Sequence, residues 1–157
     1  MPPQLLFDIS GIDLNHVAFD QEAIRECNPQ RGDMEMLNGI IWADSSSGEI
    51  LGFKDVRADE FWVAGHIPGR PLLPGVIMIE AAAQLAAYGM KIRFGVERFV
   101  GFIGCDGVKF RGQVAPGQRL YLLGKEQELK PRRFICAVQG VVNNTLVFEG
   151  TITGMPI

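Results

Sequence analysis

The sequence predicts an α+β fold in which an antiparallel sheet of about six strands wraps around one long central helix. Two observations lead to this prediction. The first is a single long helical segment, from about Pro74 to Arg93, with apolar residues on nearly every face. The second is a set of strand-like segments bounded by turn residues. A helix that is apolar all round must be buried, and a sheet with one apolar face buries it by curling around it.

The elements follow one another as a short helix, a hairpin, a loop, the long helix and four strands. Asp20 is a suitable N-cap for the short helix, which ends before Pro29. Residues 44–48 have the composition of a turn, and the pair Asn143-Asn144 suits a tight hairpin. The strand-like segments are residues 34–42, 49–56, 98–110, 120–129, 133–142 and 146–152. A sheet of this kind around a central helix is the hotdog architecture, which typically pairs with a copy of itself.

The length of 157 residues is that of a single domain. We divide it into an amino-terminal extension, residues 1–27, which contains the short helix, and a core, residues 28–157. The amino terminus lacks the basic start and apolar run of a signal peptide, and no window approaches the roughly 20 apolar residues of a membrane span. The three cysteines have no paired spacing, which favours a reducing compartment. These features predict a cytoplasmic protein.

Charge is unevenly distributed along the chain. Residues 1–66 carry 12 Asp and Glu against 4 Lys and Arg, whereas residues 91–133 carry 10 Lys and Arg against 4 acidic residues. A basic half on an acidic protein is typical of an anionic partner, but it also arises where strands face water. No Gly-rich phosphate loop or interleaved basic and aromatic run is present, which argues against a nucleic acid partner.

Glu80 is the most informative residue of the chain. From Val76 to Ala87 only Glu80 and Gln84 are polar, and at helical spacing these two are neighbours on one face. Apolar surroundings favour the protonated carboxyl, so Glu80 can serve as an acid while Gln84 orients it. The alternative is a structural ion pair with an arginine.

His66 lies in a loop, 14 residues before Glu80. Imidazole is suited to proton transfer near neutral pH, although a lone loop histidine is often merely solvated. Gly75 lies between Pro74 and Val76 at the start of the helix, where N–H groups are unpaired and the helix dipole is positive. Such a position can polarise a carbonyl, or it can simply be a tight turn. A base at His66, an acid at Glu80 and a carbonyl-binding amide at Gly75 are the groups needed to abstract a proton beside a carbonyl and to expel a leaving group.

The pattern Gly65-His66-Ile67-Pro68, then Pro74-Gly75-Val76, then Glu80 and Gln84 resembles the signature of the hotdog-fold beta-hydroxyacyl-acyl-carrier-protein dehydratases, the FabZ family. The resemblance covers roughly residues 28–154. Ile67 and Gln30 stand where the family usually has phenylalanine and histidine. The resemblance implies the following site residues: His66 and Glu80 as the catalytic pair, Gly75 and Val76 at the thioester carbonyl, Gln84 and Pro74 in support, and Ile67, Phe102 and Ile103 along the acyl tunnel.

The resemblance also implies partners and cofactors. The substrate is carried on the phosphopantetheine arm of acyl carrier protein, and no metal or redox cofactor takes part. The expected assembly is a homodimer that shares His66 and Glu80 between subunits, with a trimer of dimers as a further step. Because acyl carrier proteins are acidic, the basic residues after the helix are candidate contacts: Lys91, Arg93, Arg111, Lys130, Arg132 and Arg133.

Three functions are weighed on these grounds. The first is a lyase that dehydrates (3R)-3-hydroxyacyl thioesters to trans-2-enoyl thioesters in fatty acid or related acyl-chain biosynthesis. The second is a hotdog thioesterase, which would not need His66 in its Gly-His-x-Pro setting. The third is a non-catalytic acyl-binding subunit, which should have lost His66 or Glu80. The chain retains both residues, and this favours the lyase.

Overall fold

A six-stranded antiparallel sheet wraps around a central helix in the computed structural model, which describes residues 4–95 and 98–157. This is the predicted hotdog architecture. The strands lie in the order β1-β2-β4-β5-β6-β3, so that β1 and β3 are at the two edges. The elements are α1 (Gln21–Cys27), β1 (Gly39–Asp44), β2 (Glu49–Asp55), α2 (Gly75–Phe94), β3 (Val100–Phe110), β4 (Arg119–Lys130), β5 (Arg133–Val142) and β6 (Thr145–Pro156).

The long helix α2 begins and ends where the sequence predicts. Pro74 is its N-cap residue, and Gly95 ends it in the left-handed conformation, with φ of 60°. Small residues let the sheet approach the helix closely, because Ala81 and Ala82 are fully buried against it. The helix contacts strands β2, β4, β5, β6 and β3. The site predicted on α2 is therefore enclosed by the inner face of the sheet.

Two boundaries differ from the sequence prediction. The first strand begins at Gly39 rather than at residue 34. Gly32–Met34 form a 3₁₀ turn, and the Met36 amide after it donates a hydrogen bond to the Gln84 side chain on α2 instead of pairing with a strand. The last strand continues to Pro156 because β3 and β5 pair with it on both sides. The predicted Asn143-Asn144 hairpin is present, and both residues have the positive φ angles of a tight turn, 48° and 62°.

The amino-terminal extension has two parts: residues 5–14 cover the outer face of the sheet, and α1 packs against α2. Asp20 caps α1 as predicted, accepting a hydrogen bond from the Ala23 amide at 2.9 Å. Before α1, Phe7 and its apolar neighbours pack on residues of β1, β2 and β4 and form a second hydrophobic cluster. Buried Gln139 on β5 fastens this segment, accepting from the Leu6 amide at 2.8 Å and donating to the Gln4 carbonyl at 3.0 Å. The sheet thus has apolar cover on both faces.

Among the helices that the structure describes, none has the length and apolarity to cross a membrane.

Candidate active site

Gln84 fixes the Glu80 carboxylate in position. Its side-chain amide donates one hydrogen to Glu80 Oε1 at 2.9 Å and the other to the Met34 carbonyl at 2.7 Å. Its oxygen accepts from the Met36 amide at 3.0 Å. Because both ends of the amide are committed, its orientation is determined by the surrounding backbone. The predicted contact between Glu80 and Gln84 is present, and it is anchored to the chain before β1.

The hydrogen bond from Gln84 also distinguishes the two oxygens of Glu80. Oε1 accepts from an N–H group, whereas Oε2 has no hydrogen-bond partner within the described residues. In the described part of the chain each arginine ion pair is made with another carboxylate, and the alternative reading of Glu80 as an arginine partner is not found. Glu80 is therefore a carboxyl with one oxygen held and one oxygen available for chemistry.

A cavity of about 70 Å³ lies beside Glu80, between α2 and strands β3, β5 and β6. We call it the Glu80 cavity. Small residues of α2, Ala83 and Ala87, form one wall of it. Gln30 is also in the wall, and its side-chain oxygen is buried without a hydrogen-bond partner in the described structure. The remaining lining residues are Gln84, Val100, Gly101, Phe102, Phe134, Ile152 and Gly154. The cavity is mainly apolar and has one carboxyl group at its wall.

One of the three predicted tunnel residues lines this cavity. Phe102 on β3 contributes to the wall, whereas its neighbour Ile103 lies outside and is half exposed. Ile67 in the loop before α2 is exposed and is not part of the wall either. The three residues are therefore not brought together within a single subunit.

His66 lies on an exposed turn rather than in the Glu80 cavity. Its amide donates to the Trp62 carbonyl at 2.9 Å, and residues 64–71 are all exposed. Within residues 4–95 and 98–157, neither a hydrogen bond nor an ion pair joins His66 to Glu80. The two predicted catalytic residues are thus not paired inside one subunit.

A buried ion pair anchors the loop that carries His66. Lys54 Nζ on β2 lies 2.6 Å from Glu60 Oε1, and the two side chains are only 2% and 7% exposed. The other carboxylate oxygen of Glu60 accepts from the Arg57 amide at 2.8 Å. Trp62, two residues further on, is buried in the main core. The chain is therefore held firmly up to Trp62 and is exposed from residue 64 onward.

Two backbone amides are unpaired at the start of α2 in the described structure. Within the described residues, the Gly75 and Val76 amides make no backbone hydrogen bond, while the Ile77 amide donates to the Pro74 carbonyl at 3.0 Å. A Cβ atom at Gly75 would lie 2.7 Å from the end of the Phe110 ring, so a larger residue here would require this half-exposed ring to move. Both readings of Gly75 are thus compatible with the structure, because the residue packs tightly and also leaves two N–H groups free.

Several residues at the site were not found from the sequence. Met34 and Met36 act through their backbone, Gly154 through the absence of a side chain, and Phe134 and Ile152 through positions on β5 and β6. Because every residue has the same backbone N–H and C=O groups, a role played by the backbone cannot be recognised from the residue type. Strand register, which brings β5 and β6 beside Glu80, is not encoded in any local motif.

Comparison with known proteins identifies the family of the chain. The model of the FabA-like domain family matches residues 28–151. The 3-hydroxyacyl-[acyl-carrier-protein] dehydratase FabZ of Streptococcus agalactiae is 34% identical over 137 residues, which is 85% of this chain and 95% of the relative. The enzyme of the same name from Streptococcus thermophilus is 31% identical over 138 residues, 87% of this chain and 96% of the relative.

Solved structures share the fold at lower sequence identity. The dehydratase heterocomplex ApeI:P from Xenorhabdus doucetiae superposes with a TM-score of 0.72 at 16% identity, covering 85% of this chain and 90% of that one. A sigma28-regulated virulence protein from Campylobacter jejuni gives a TM-score of 0.69 at 19% identity, covering 93% and 96%. These likenesses establish the hotdog fold alone. From the family model and the dehydratase relatives together, the chain belongs to the FabA-like family, in its FabZ dehydratase branch.

Proposed function

We propose that this chain dehydrates (3R)-3-hydroxyacyl thioesters, delivered on acyl carrier protein, to trans-2-enoyl thioesters in fatty acid or related acyl-chain biosynthesis. The observation that carries the proposal is Glu80, whose Oε1 is held by Gln84 at the wall of a mainly apolar cavity. Membership of the FabZ branch supports the same reaction. Removal of a 3-hydroxyl group requires an acid beside the space that holds the acyl chain, and Glu80 is in the wall of this cavity.

The proposed steps conserve atoms and protons. The His66 imidazole takes a proton from C2 of the substrate, and the electron pair moves toward the thioester carbonyl. The free amides of Gly75 and Val76 stabilise the negative charge that develops on the carbonyl oxygen. The C3–O bond then breaks, and Glu80 Oε2 gives its proton to the departing hydroxyl, which leaves as water. These steps require no metal or redox cofactor, and the phosphopantetheine arm is part of the substrate.

A second copy of the chain completes the proposed site. Strand β3 is at the edge of the sheet, so its outer backbone groups are available for pairing. Large apolar side chains along this edge and at the start of α2 are exposed, among them Val76 at 69% and Phe110 at 51%. Such a patch is typical of a protein–protein interface. In a two-fold homodimer paired at β3, the exposed loop of one copy would bring its His66 to the Glu80 cavity of the other.

One assay separates this function from the two alternatives. The purified protein is given a 3-hydroxyacyl thioester on acyl carrier protein. A dehydratase produces the ultraviolet absorbance of the enoyl thioester, a thioesterase releases free thiol, and a binding subunit does neither. Thiol release without enoyl absorbance, or no reaction at all, would refute the proposal.

Mixing two inactive variants tests the shared site. His66→Ala and Glu80→Gln proteins are partly dissociated, combined and reassociated. Half of the resulting dimers are mixed, and each mixed dimer has one intact site of two, so about one quarter of wild-type activity should return. Each variant taken through the same treatment alone is the control. If both residues came from one subunit, the mixture would remain as inactive as its components.

The basic residues proposed from the sequence as carrier contacts are mostly engaged. Arg93 and Arg111 pair with Glu126 and Glu149, and Lys130 and Arg133 both pair with Glu128. Lys91 bonds to the Cys27 carbonyl. In the described part of the chain only Arg132 of that set has neither an ion pair nor a side-chain hydrogen bond. Arg70, in the exposed loop of His66, is likewise outside the described ion pairs.

Arg70 is therefore the better placed contact for an acidic carrier, and its reversal gives a further prediction. Arg70→Glu should raise KM for carrier-bound substrate roughly tenfold at low salt and leave short pantetheine thioesters unaffected. The difference should shrink at high salt. Arg132→Glu is the matched control. Arg132 is in the turn between β4 and β5, which is near the carboxyl end of α2 rather than near Gly75 at its start. Equal effects of both variants, or equal losses on both substrates, would exclude docking at the His66 loop.

A further inference from the structure

A second cavity, of about 50 Å³, lies under the carboxyl-terminal half of α2. We call it the distal cavity. Its walls are mainly small or apolar and come from α2, the β1–β2 hairpin, β4 and β5, including Ala43, Gly48, Ile50, Ala86, Gly89 and Leu129. Arg93 and Glu126, which form an ion pair at 2.9 Å, stand at its rim. None of the catalytic residues proposed above lines this cavity.

Phe134 is the residue that the Glu80 cavity and the distal cavity have in common. The strand register explains why. Phe134 on β5 is opposite Gly154 on β6 and opposite Leu129 on β4, and Gly154 is in turn opposite Phe102 on β3. In this row across four strands, Phe102 and Gly154 line the Glu80 cavity, and Leu129 lines the distal cavity. Phe134 therefore stands between the two spaces.

The ring of Phe134 is fixed in this position. It lies on the backbone of Gly154, where a Cβ atom would be only 2.2 Å from a ring carbon. The side chain is 4% exposed and belongs to the main hydrophobic core. A ring packed on a glycine in this way closes the Glu80 cavity on the side that faces β4.

Gly89 keeps the distal cavity open. A glycine inside a helix is destabilising relative to alanine, so packing usually explains it. Here packing does not, because a Cβ atom at Gly89 would be 3.5 Å from its nearest neighbour, a carbon of Ile50, which is ordinary van der Waals contact. A larger side chain at this position would extend into the distal cavity.

We propose that Phe134 sets the maximum acyl chain length of this enzyme by separating the Glu80 cavity from the distal cavity. The inference rests on the proposed function, because it takes the acyl chain to enter beside Glu80. A chain that reaches Phe134 stops there in the native protein. If the ring is removed, the end of a longer chain passes between Gly154 and Leu129 into the apolar space beneath Gly89.

A double-mutant cycle tests this inference. Phe134→Ala, Gly89→Met and the combined variant are compared with the native protein over even-numbered 3-hydroxyacyl substrates. For chains beyond the native limit, Phe134→Ala should raise kcat/KM about fourfold for each additional methylene that it admits, the equivalent of about 0.8 kcal/mol. Gly89→Met should change nothing in the native background, where chains do not reach the distal cavity, and should abolish the gain in the Phe134→Ala background.

Because removing a buried ring destabilises the fold, Phe134→Leu serves as a milder second variant with the same expected direction. Binding of 3-hydroxyacyl pantetheine analogues with an amide in place of the thioester, measured by calorimetry, gives a readout without turnover. If binding shows the predicted lengthening but no enoyl product forms, the proposed reaction fails and the inference stands. The inference is overturned if folded Phe134 variants keep the native maximum chain length in both measurements. It is also overturned if Gly89→Met shortens the maximum chain length in the protein that retains Phe134.

Discussion

Glu80→Gln and His66→Ala are each expected to lower kcat by about 100-fold or more while the protein stays folded. Glutamine keeps the shape of glutamate and can still accept the hydrogen bond from Gln84, so packing around α2 should survive. It has no acidic proton to give, and the departing hydroxyl would have to leave unprotonated. His66 is exposed, so its truncation removes no core contact in one subunit. Steady-state turnover and melting temperature are measured on the same preparations.

A matched control separates loss of chemistry from loss of charge. Glu126→Gln removes a carboxylate from β4 at the other end of α2, where it pairs with Arg93 at 2.9 Å. Turnover of this variant should stay near that of the native protein. Near-normal activity of either Glu80→Gln or His66→Ala would end the proposed division of labour between acid and base.

Lys54→Met is expected to destabilise the protein by about 3–5 kcal/mol, because it leaves the buried Glu60 carboxylate without its partner. The 2.6 Å pair is shielded from water on both sides, since neither side chain is more than 7% exposed. Replacing both residues, as Lys54→Met with Glu60→Leu, should recover most of the loss, since no uncompensated charge is then buried. Urea unfolding at one fixed protein concentration measures the free energies, because the stability of the proposed dimer depends on concentration.

The exposed pair of Arg57 and Asp59 provides the comparison. Their side chains are 57% and 78% exposed, and they lie 2.8 Å apart. Arg57→Met should therefore change the free energy of unfolding far less than Lys54→Met does. If the single and double variants at Lys54 and Glu60 were equally unstable, the cost would come from lost packing rather than from an unpaired charge.

The secondary structure was largely predictable, because each element has a local signal. The N-cap at Asp20, the helix start at Pro74 and the two asparagines of the last hairpin all act on their immediate neighbours. The first strand was the exception. Residues 34–38 have a strand-like composition, but the backbone groups of Met34 and Met36 form hydrogen bonds with the Gln84 side chain, 48 to 50 residues away. A contact at that sequence separation produces no periodic pattern of residues in the local sequence, so it could not be predicted from it.

Without the resemblance, the site was predictable only where its members lie on one element. Glu80 and Gln84 are one helical turn apart, so their contact follows from helix geometry. The cavity wall opposite them depends on strand register, and that placed Phe134 and Gly154 at the site although nothing in their local sequence marks them. In the proposed dimer the relation of His66 to Glu80 depends on a second chain, and a sequence can indicate such a relation only through resemblance.

The apolar layer that residues 5–14 lay over the outside of the sheet limits how copies of this chain can assemble. Strands β1, β2 and β4 already have their outward side chains, such as Ile41, Leu51 and Leu123, covered from within the same molecule. Two sheets therefore cannot stack back to back there unless the segment held by Gln139 is first peeled away. Pairing at the β3 edge, as in the proposed homodimer, needs no such rearrangement, because the amino-terminal segment leaves that edge uncovered.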